Sequence, residues 1–162
     1  MLRKYSKLSK HLKSKQIFTM TRSKFNVSGD KSKRTFDGIV FDSAMEMKFY
    51  RDWCIPRMEC GEITGCERQV KYILQPKFTR DGKTIQPITY VADFVITYED
   101  GNTEVIDIKG CPDNVALLKR KLFWYVFPDI NYRWLTYSGI DGGWVEYEVV
   151  KEARKKRKEL KG

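Results

Sequence analysis

Histidine is nearly absent from this chain: the only one in 162 residues is His11, set in a lysine- and serine-rich stretch far from any patterned segment. Serine–histidine and cysteine–histidine catalysis need an imidazole beside the nucleophile, so that chemistry is set aside. The four cysteines, Cys54, Cys60, Cys66 and Cys111, include no C-x-x-C pair. A structural zinc site is therefore not expected, and reduced thiols in the cytoplasm are. No apolar run reaches the ~20 residues of a membrane span, and the basic N-terminus lacks the apolar core of a secretory signal. Internal repeats are also missing. What remains, 41% hydrophobic and 14% aromatic residues, is enough for one globular domain with a real core and not for two.

Acidic residues are scarce at both ends. Residues 1–34 hold eleven Lys/Arg against Asp30 alone, and residues 151–162 hold seven against two. The formal net charge is +10, so the body between them carries about −5. Three parts are expected: a basic arm over residues 1–34, a domain over residues 35–150 and a basic tail over residues 151–162. Basic ends around an acidic centre fit a nucleic-acid enzyme whose arms grip phosphate while its centre holds acidic metal ligands. Solvated tails that only confer solubility are the alternative.

Periodicity predicts the order α-β-β-β-α-β-α. Ser43 opens a helix with Met45, Phe49 and Trp53 on one stripe, ending near Ile55-Pro56. Residues 59–67 read as a polar loop and residues 69–78 as a strand. Strands follow over residues 88–98 and 103–109. Asp113 can cap a helix over residues 114–127, whose core stripe is read as Leu117, Leu118, Leu122, Phe123 and Val126. A strand over residues 130–137 precedes a turn, and a helix runs from about Trp144 into the basic tail.

The chemistry concentrates in Tyr90-Val-Ala-Asp93-Phe and Val105-Ile-Asp107-Ile-Lys109-Gly110, two apolar strands around a Glu-Asp-Gly-Asn turn. Buried acids are costly unless a cation or a partner compensates them. Asp107 and Lys109 share a face because side chains alternate along a strand. A two-residue turn would set Asp93 against Ile108, on the wrong face. A three-residue turn, Glu99-Asp100-Gly101, sets Asp93 opposite Asp107 and wants glycine at its last position, where Gly101 stands. The three-residue turn is therefore expected. Two like charges brought that close raise each other's pKa unless a cation intervenes. Mg²⁺, with Mn²⁺ able to substitute, suits such an all-oxygen site and would activate water and stabilise charge on a phosphate. Lys109 would hold the attacking water or neutralise the phosphate. Glu46 has two readings: Ser43-x-x-Glu46 is a capping box, and Glu46 is also placed to be a third acid presented from the first helix.

Glu46, Asp93 and Asp107-Ile108-Lys109, set on α-β-β-β-α-β, resemble the PD-(D/E)XK nuclease superfamily. Within it the chain is similar to phage-type Holliday junction resolvases of the endonuclease I-like group. Phe41-Asp-Ser-Ala-Met-Glu46 and the Lys119-Arg120-Lys121 helix fit the same group. The resemblance covers about residues 35–137; Ala92 stands where the name-giving proline would be. It implies an α/β, restriction-endonuclease-like core. It also implies metal ligation by Asp93, Asp107 and the Ile108 carbonyl, a second metal or metal-bound water on Glu46, and nucleophile positioning by Lys109. The implied partners are branched DNA, a four-way junction above all, and a second copy of the chain in a homodimer.

Glu104, three residues before Asp107, falls on the other face of a regular strand and is left out of the site. Lys119, Arg120 and Lys121 are candidate nucleic-acid contacts, Lys119 first. Trp124, Trp134 and Trp144 are assigned to core or interface. Gln69 and Gln75 are polar strand residues near the site, read as core-edge packing. Two rivals stay open: another nuclease on the same core (nicking, restriction-like or repair), and a non-catalytic DNA-binding protein.

Overall fold

The computed structural model describes residues 29–161. His11 and most of the basic arm expected over residues 1–34 lie outside the described residues. Strands β1 (Thr35–Phe36) and β2 (Ile39–Val40) form a small hairpin. Helix α1 (Ala44–Phe49) passes through a π-helical segment, Tyr50–Cys54, into α2 (Ile55–Glu59). Strand β3 (Ile63–Gln75) leads to a ribbon, β4 (Phe78–Arg80) and β5 (Lys83–Ile85), and returns as β6 (Ile88–Tyr98). Then come β7 (Thr103–Ile108), α3 (Asn114–Val126), β8 (Asn131–Ser138), β9 (Gly143–Glu146) and α4 (Tyr147–Glu159).

The expected α/β class is present as a five-stranded mixed sheet in the order β3-β6-β7-β8-β9. Only β7 and β8 run parallel, joined across α3. Parallel neighbours need such a crossover. One face of the sheet, with Phe94, Ile96, Ile106, Ile108 and Leu135, packs on Phe49 and Cys54 of the first helical run. The other, with Val105, Tyr132 and Trp134, packs on Phe123 of α3 and Tyr147 of α4. No described helix is long and apolar enough to cross a membrane.

Four expectations shift. The first helical run continues past Pro56 to Glu59, because the widened turn just before Pro56 accommodates its missing N–H: the Ile55 N–H donates to the Tyr50 carbonyl, five residues back. Strand β3 begins at Ile63, so Glu67 lies in a strand and not in a loop; as a sheet edge, β3 can turn polar side chains to solvent. On α3, Phe123 is buried, but Leu117, Leu118 and Val126 are exposed. The packed stripe instead includes Ala116, Phe123 and Phe127. The apolar residues of α3 are spread too widely around the helix for one narrow stripe, and Arg120 interrupts the stripe that packs. Finally, the helix expected from about Trp144 begins at Tyr147, because Gly143–Glu146 pairs with β8 as strand β9; it then runs through residues 151–159 as expected, anchored by buried Val150 and by the Arg157–Asp141 ion pair (2.7 Å).

One irregularity positions the site. Gln69 sits mid-strand at φ +54°. Its neighbours pair as Arg68↔Phe94 and Val70↔Ala92, so Gln69 lies across from Asp93. Cys66 and Phe94 belong to the α1-side core, whereas Tyr72, Leu74, Tyr90 and Ala92 belong to the α3-side core. All six are even-numbered, and regular strands would keep them on one face. Both strands therefore reverse their faces at the Gln69–Asp93 position. A non-glycine residue in the left-handed region costs on the order of 1 kcal/mol or more and persists where its surroundings hold it.

Candidate active site

The β6–β7 hairpin has the expected three-residue turn. The Tyr98 N–H donates to the Asn102 carbonyl (2.9 Å) and the Gly101 N–H to the Tyr98 carbonyl (3.0 Å). Gly101 has φ +82°, which explains the preference for glycine there. The ladder runs from Thr97↔Thr103 to Phe94↔Ile106, which makes Asp93 and Asp107 the next opposed pair. At that point carboxylates take over from backbone carbonyls. The Asp93 N–H donates to Asp107 Oδ1 (3.1 Å), and the Ile108 N–H donates to Asp93 Oδ2 (2.8 Å).

Asp107 has no exposed surface. Its Oδ2 is 2.6 Å from Lys109 Nζ. The Lys109 backbone is held by its N–H donating to the Leu135 carbonyl of β8 (2.8 Å). The Tyr132 hydroxyl lies 3.5 Å from Asp107 Oδ2, accepts the Trp134 indole N–H, and hydrogen-bonds the Tyr90 hydroxyl. Sequence reasoning missed both tyrosines. For Tyr132 the signal lies in the parallel register, which sets Val105 beside Tyr132 and Asp107 beside Trp134; Tyr90 reaches Tyr132 from β6, and no local pattern carries either.

Glu46 comes from the first turn of α1, and both readings of it meet there. Ser43 Oγ accepts the Glu46 N–H (3.1 Å) and donates to Glu46 Oε1 (2.7 Å). Glu46 is nevertheless buried, and it is electrostatically joined to the hairpin. Met45 beside it packs over Gly110, at the end of β7.

The pKa shifts of Asp93, Glu46 and Lys109 bind these three into one unit. Burial raises the Asp93 carboxyl to about 8, with the Asp107 and Glu46 charges adding to the rise and Lys109 opposing it. Burial also raises Glu46, against its hydrogen bond from Ser43 and the pull of Lys109. For Lys109, burial works against the charge, but Asp107, Asp93 and Glu46 outweigh it and the pKa rises. The lysine is one cation among three acids, and the raised Asp93 pKa lets the cluster keep a proton instead of carrying the full negative charge.

Glu104 lies on the opposite face, as its parity predicts. It accepts hydrogen bonds from the Tyr98 hydroxyl (2.7 Å), Asn131 Nδ2 (2.8 Å) and Arg133 (3.1 Å).

Residues 22–140 match the family described as "Protein of unknown function (DUF1064)". The chain belongs to this family. The matched region contains Glu46, Asp93, Asp107, Ile108, Lys109 and residues 119–121 and stops before α4. No curated protein and no solved structure matches the chain.

In this DUF1064 chain the donor chemistry fits a hard divalent cation: two carboxylates and the Ile108 carbonyl, all oxygen, in a cluster where a cation would take the place of the proton on Asp93. Among the described residues, no three Asp, Glu, His or Cys side chains already form a ligand cage. The Lys109 ammonium and backbone N–H groups occupy both carboxylates, so loading a cation requires them to exchange partners.

The three cations of α3 separate. Lys121 is exposed and Lys119 is half-buried. The Arg120 guanidinium lies 4.4 Å from the Trp124 ring and 4.3 Å from that of Trp134, and pairs with Glu148 (2.8 Å). It joins α3 to α4, so the phosphate contact expected of Arg120 gives way to a packing role. Trp134 is fully buried, as expected of a core residue, and Trp124 is exposed. Gln69 is exposed too, and its contribution is the backbone reversal opposite Asp93, not the core-edge packing expected of it.

Proposed function

We propose that this chain is a metal-dependent, structure-specific DNA endonuclease with a restriction-endonuclease-like core, hydrolysing phosphodiester bonds at four-way junctions as a cytoplasmic homodimer. One observation carries the reading: Glu46, Asp93, Asp107 and Lys109, drawn from a helix and two strands, form one electrostatically coupled cluster at the Gly110 end of β7. The basic ends of the chain supply affinity for a polyanion, and two symmetric nicks across a junction call for two sites related by a two-fold axis.

Asp93, Asp107 and the Ile108 carbonyl would hold Mg²⁺ or Mn²⁺, with Glu46 reaching it through water. When bound, the cation would neutralise phosphate charge and acidify a water molecule. The chain's own residues do the rest. Lys109, displaced from Asp107, keeps its charge and orients the attacking water in line with the leaving oxygen. Glu46, with its raised pKa, accepts a proton from that water. Tyr132 and Tyr90 fix the Asp107 carboxylate from behind.

The test is cleavage of labelled four-way junctions, linear duplex and single strands by the full chain, with and without Mg²⁺ or Mn²⁺. Cation-dependent nicking of the junction in preference to duplex is expected. Equal cutting of duplex removes the junction assignment and leaves another nuclease on the same core. A second reading, a non-catalytic DNA-binding protein, draws support from the complete burial of Asp107. It predicts that neither cation produces cleavage and that Asp107→Asn leaves binding untouched.

A further inference from the structure

Beyond Asp93, strands β3 and β6 continue as a pair to Gln75↔Ile88 and then into the β4–β5 ribbon. The ribbon's tip is Asp81-Gly82, with φ +50° and +71°. Positive φ at both residues is the type I′ turn, which matches the twist of a hairpin and keeps a short ribbon well defined. Every residue of β4 and β5 is exposed. The register pairs Phe78 with Ile85, Thr79 with Thr84 and Arg80 with Lys83. By alternation, Phe78, Ile85, Arg80 and Lys83 share one face, and the two threonines take the other. The face thus carries an apolar pair, 45% and 38% exposed, just inside a cationic pair.

No folding role accounts for that face. Phe78 and Ile85 are absent from both cores. The Arg80–Asp81 contact, at 3.6 Å between exposed side chains, leaves the Arg80 charge available to solvent. Residues 70–92 hold Lys71, Lys77, Arg80 and Lys83 against Asp81 alone, in a body that is otherwise acidic. The ribbon also lies at the site end of the sheet. Five residues of extended strand separate Asp93 from Ile88, roughly 17 Å. The acids Glu62, Glu99 and Asp100 gather at the opposite end.

We infer that the β4–β5 ribbon is the nucleic-acid-engaging arm of the site, seating Arg80 and Lys83 on backbone phosphates and the Phe78–Ile85 pair against a base pair left unstacked at a branch point. The inference rests on the proposed nuclease reading for its substrate. A two-stranded ribbon fits the major groove of a duplex, and apolar wedges are favoured where stacking is already broken. Cations two residues further along each strand from the wedge would then straddle the flanking phosphates. This assigns shape recognition to an element separate from the catalytic cluster.

The experiment measures binding of the full chain to labelled four-way junction and linear duplex by fluorescence anisotropy across a salt series, in EDTA so that no cleavage intervenes. Arg80→Ala with Lys83→Ala is expected to weaken binding to both DNAs on the order of tenfold at moderate salt and to lower the salt slope by about two. Phe78→Ala with Ile85→Ala is expected to erase the preference for junction over duplex while leaving the salt slope unchanged. All four side chains are exposed, so thermal unfolding should match the parent. Parental affinity and slope in the Arg80/Lys83 variant overturn the inference. So does a Phe78/Ile85 variant that turns a dimer into a monomer by sedimentation yet keeps its junction preference, because the face then serves a second copy of the chain. If the parent never cleaves but the binding results hold, the arm stands and the nuclease reading falls. If the parent cleaves and the variants bind as it does, the arm falls and the nuclease reading stands.

Discussion

Strand β7 carries two buried carboxylates three residues apart, and they are opposite in kind. Glu104 faces the α1 side near the hairpin turn. It is met by a tyrosine hydroxyl, an asparagine amide and an arginine that also pairs with Glu146, three donors in all. Asp107 faces the other way, beside a second carboxylate whose proton is held up to about pH 8 and within the field of a third. Glu104 is a buried acid whose needs are met. The Asp107 cluster has surplus acid, and surplus acid is what a divalent cation or a phosphate-bound metal would relieve. Burial alone marks neither residue as functional; the difference lies in how completely each is compensated.

Mutating both acids breaks this contrast most directly. Asp107→Asn or Lys109→Ala should lower junction cleavage by about a thousandfold or more while anisotropy shows DNA still bound. Glu104→Gln should leave cleavage within a few-fold of the parent. Retained turnover in the Asp107 variant would put both acids in the same structural class. The reverse ordering is expected for stability. Glu104→Ala removes the acceptor shared by Tyr98, Asn131 and Arg133, which keeps Glu146, and should cost about 1–2 kcal/mol in urea unfolding.

Glu46 sharpens the contrast, because it caps a helix and belongs to the cluster. Ser43→Ala should cost about 1 kcal/mol of stability with little loss of cleavage, whereas Glu46→Gln should lower cleavage about ten- to a hundredfold. Equal effects of the two changes would reduce Glu46 to its capping role.

The cluster also sets the pH dependence of folding without divalent cations. Asp93 has a folded pKa of about 8, above the ordinary carboxylate value near 4. The folded state therefore binds more protons than the unfolded state between those values, and stability falls as pH rises across that window, levelling off above about 8. Thermal unfolding of Asp93→Asn should lose that decline, and added Mg²⁺ should flatten it in the parent. An unchanged slope in the variant would mean that the surplus charge is carried elsewhere.

Much of the site was legible in the sequence because its geometry is local. The face and the turn follow from a period of two and one glycine, so Asp93, Asp107 and Lys109 could be brought together, and Glu104 excluded, by counting. Other features depend on contacts between elements distant in sequence. Tyr90 and Tyr132 meet Asp107 only through the packing of β6 and β8 around β7. The core stripe of α3 was misread because Arg120 stands in its middle, and only Trp134 and Glu148 explain a cation there. The reversal at Gln69 has no local signature, since glutamine is not a residue that favours positive φ. The helical run past Pro56 was missed because a proline ordinarily ends a helix, and the widened turn that spares it leaves no mark in composition.

The left-handed Gln69 has a further consequence, for solubility. Strand β3 is thirteen residues long and lies at the edge of the sheet. A flat edge of that length offers its free N–H and carbonyl groups as a template on which another chain could add a strand. At Gln69 the strand turns over, so an incoming strand would have to reverse its own faces at the same point, as β6 does at Asp93. The residue set opposite Asp93 thus also makes the longest edge strand among the described residues a twisted template rather than a flat one.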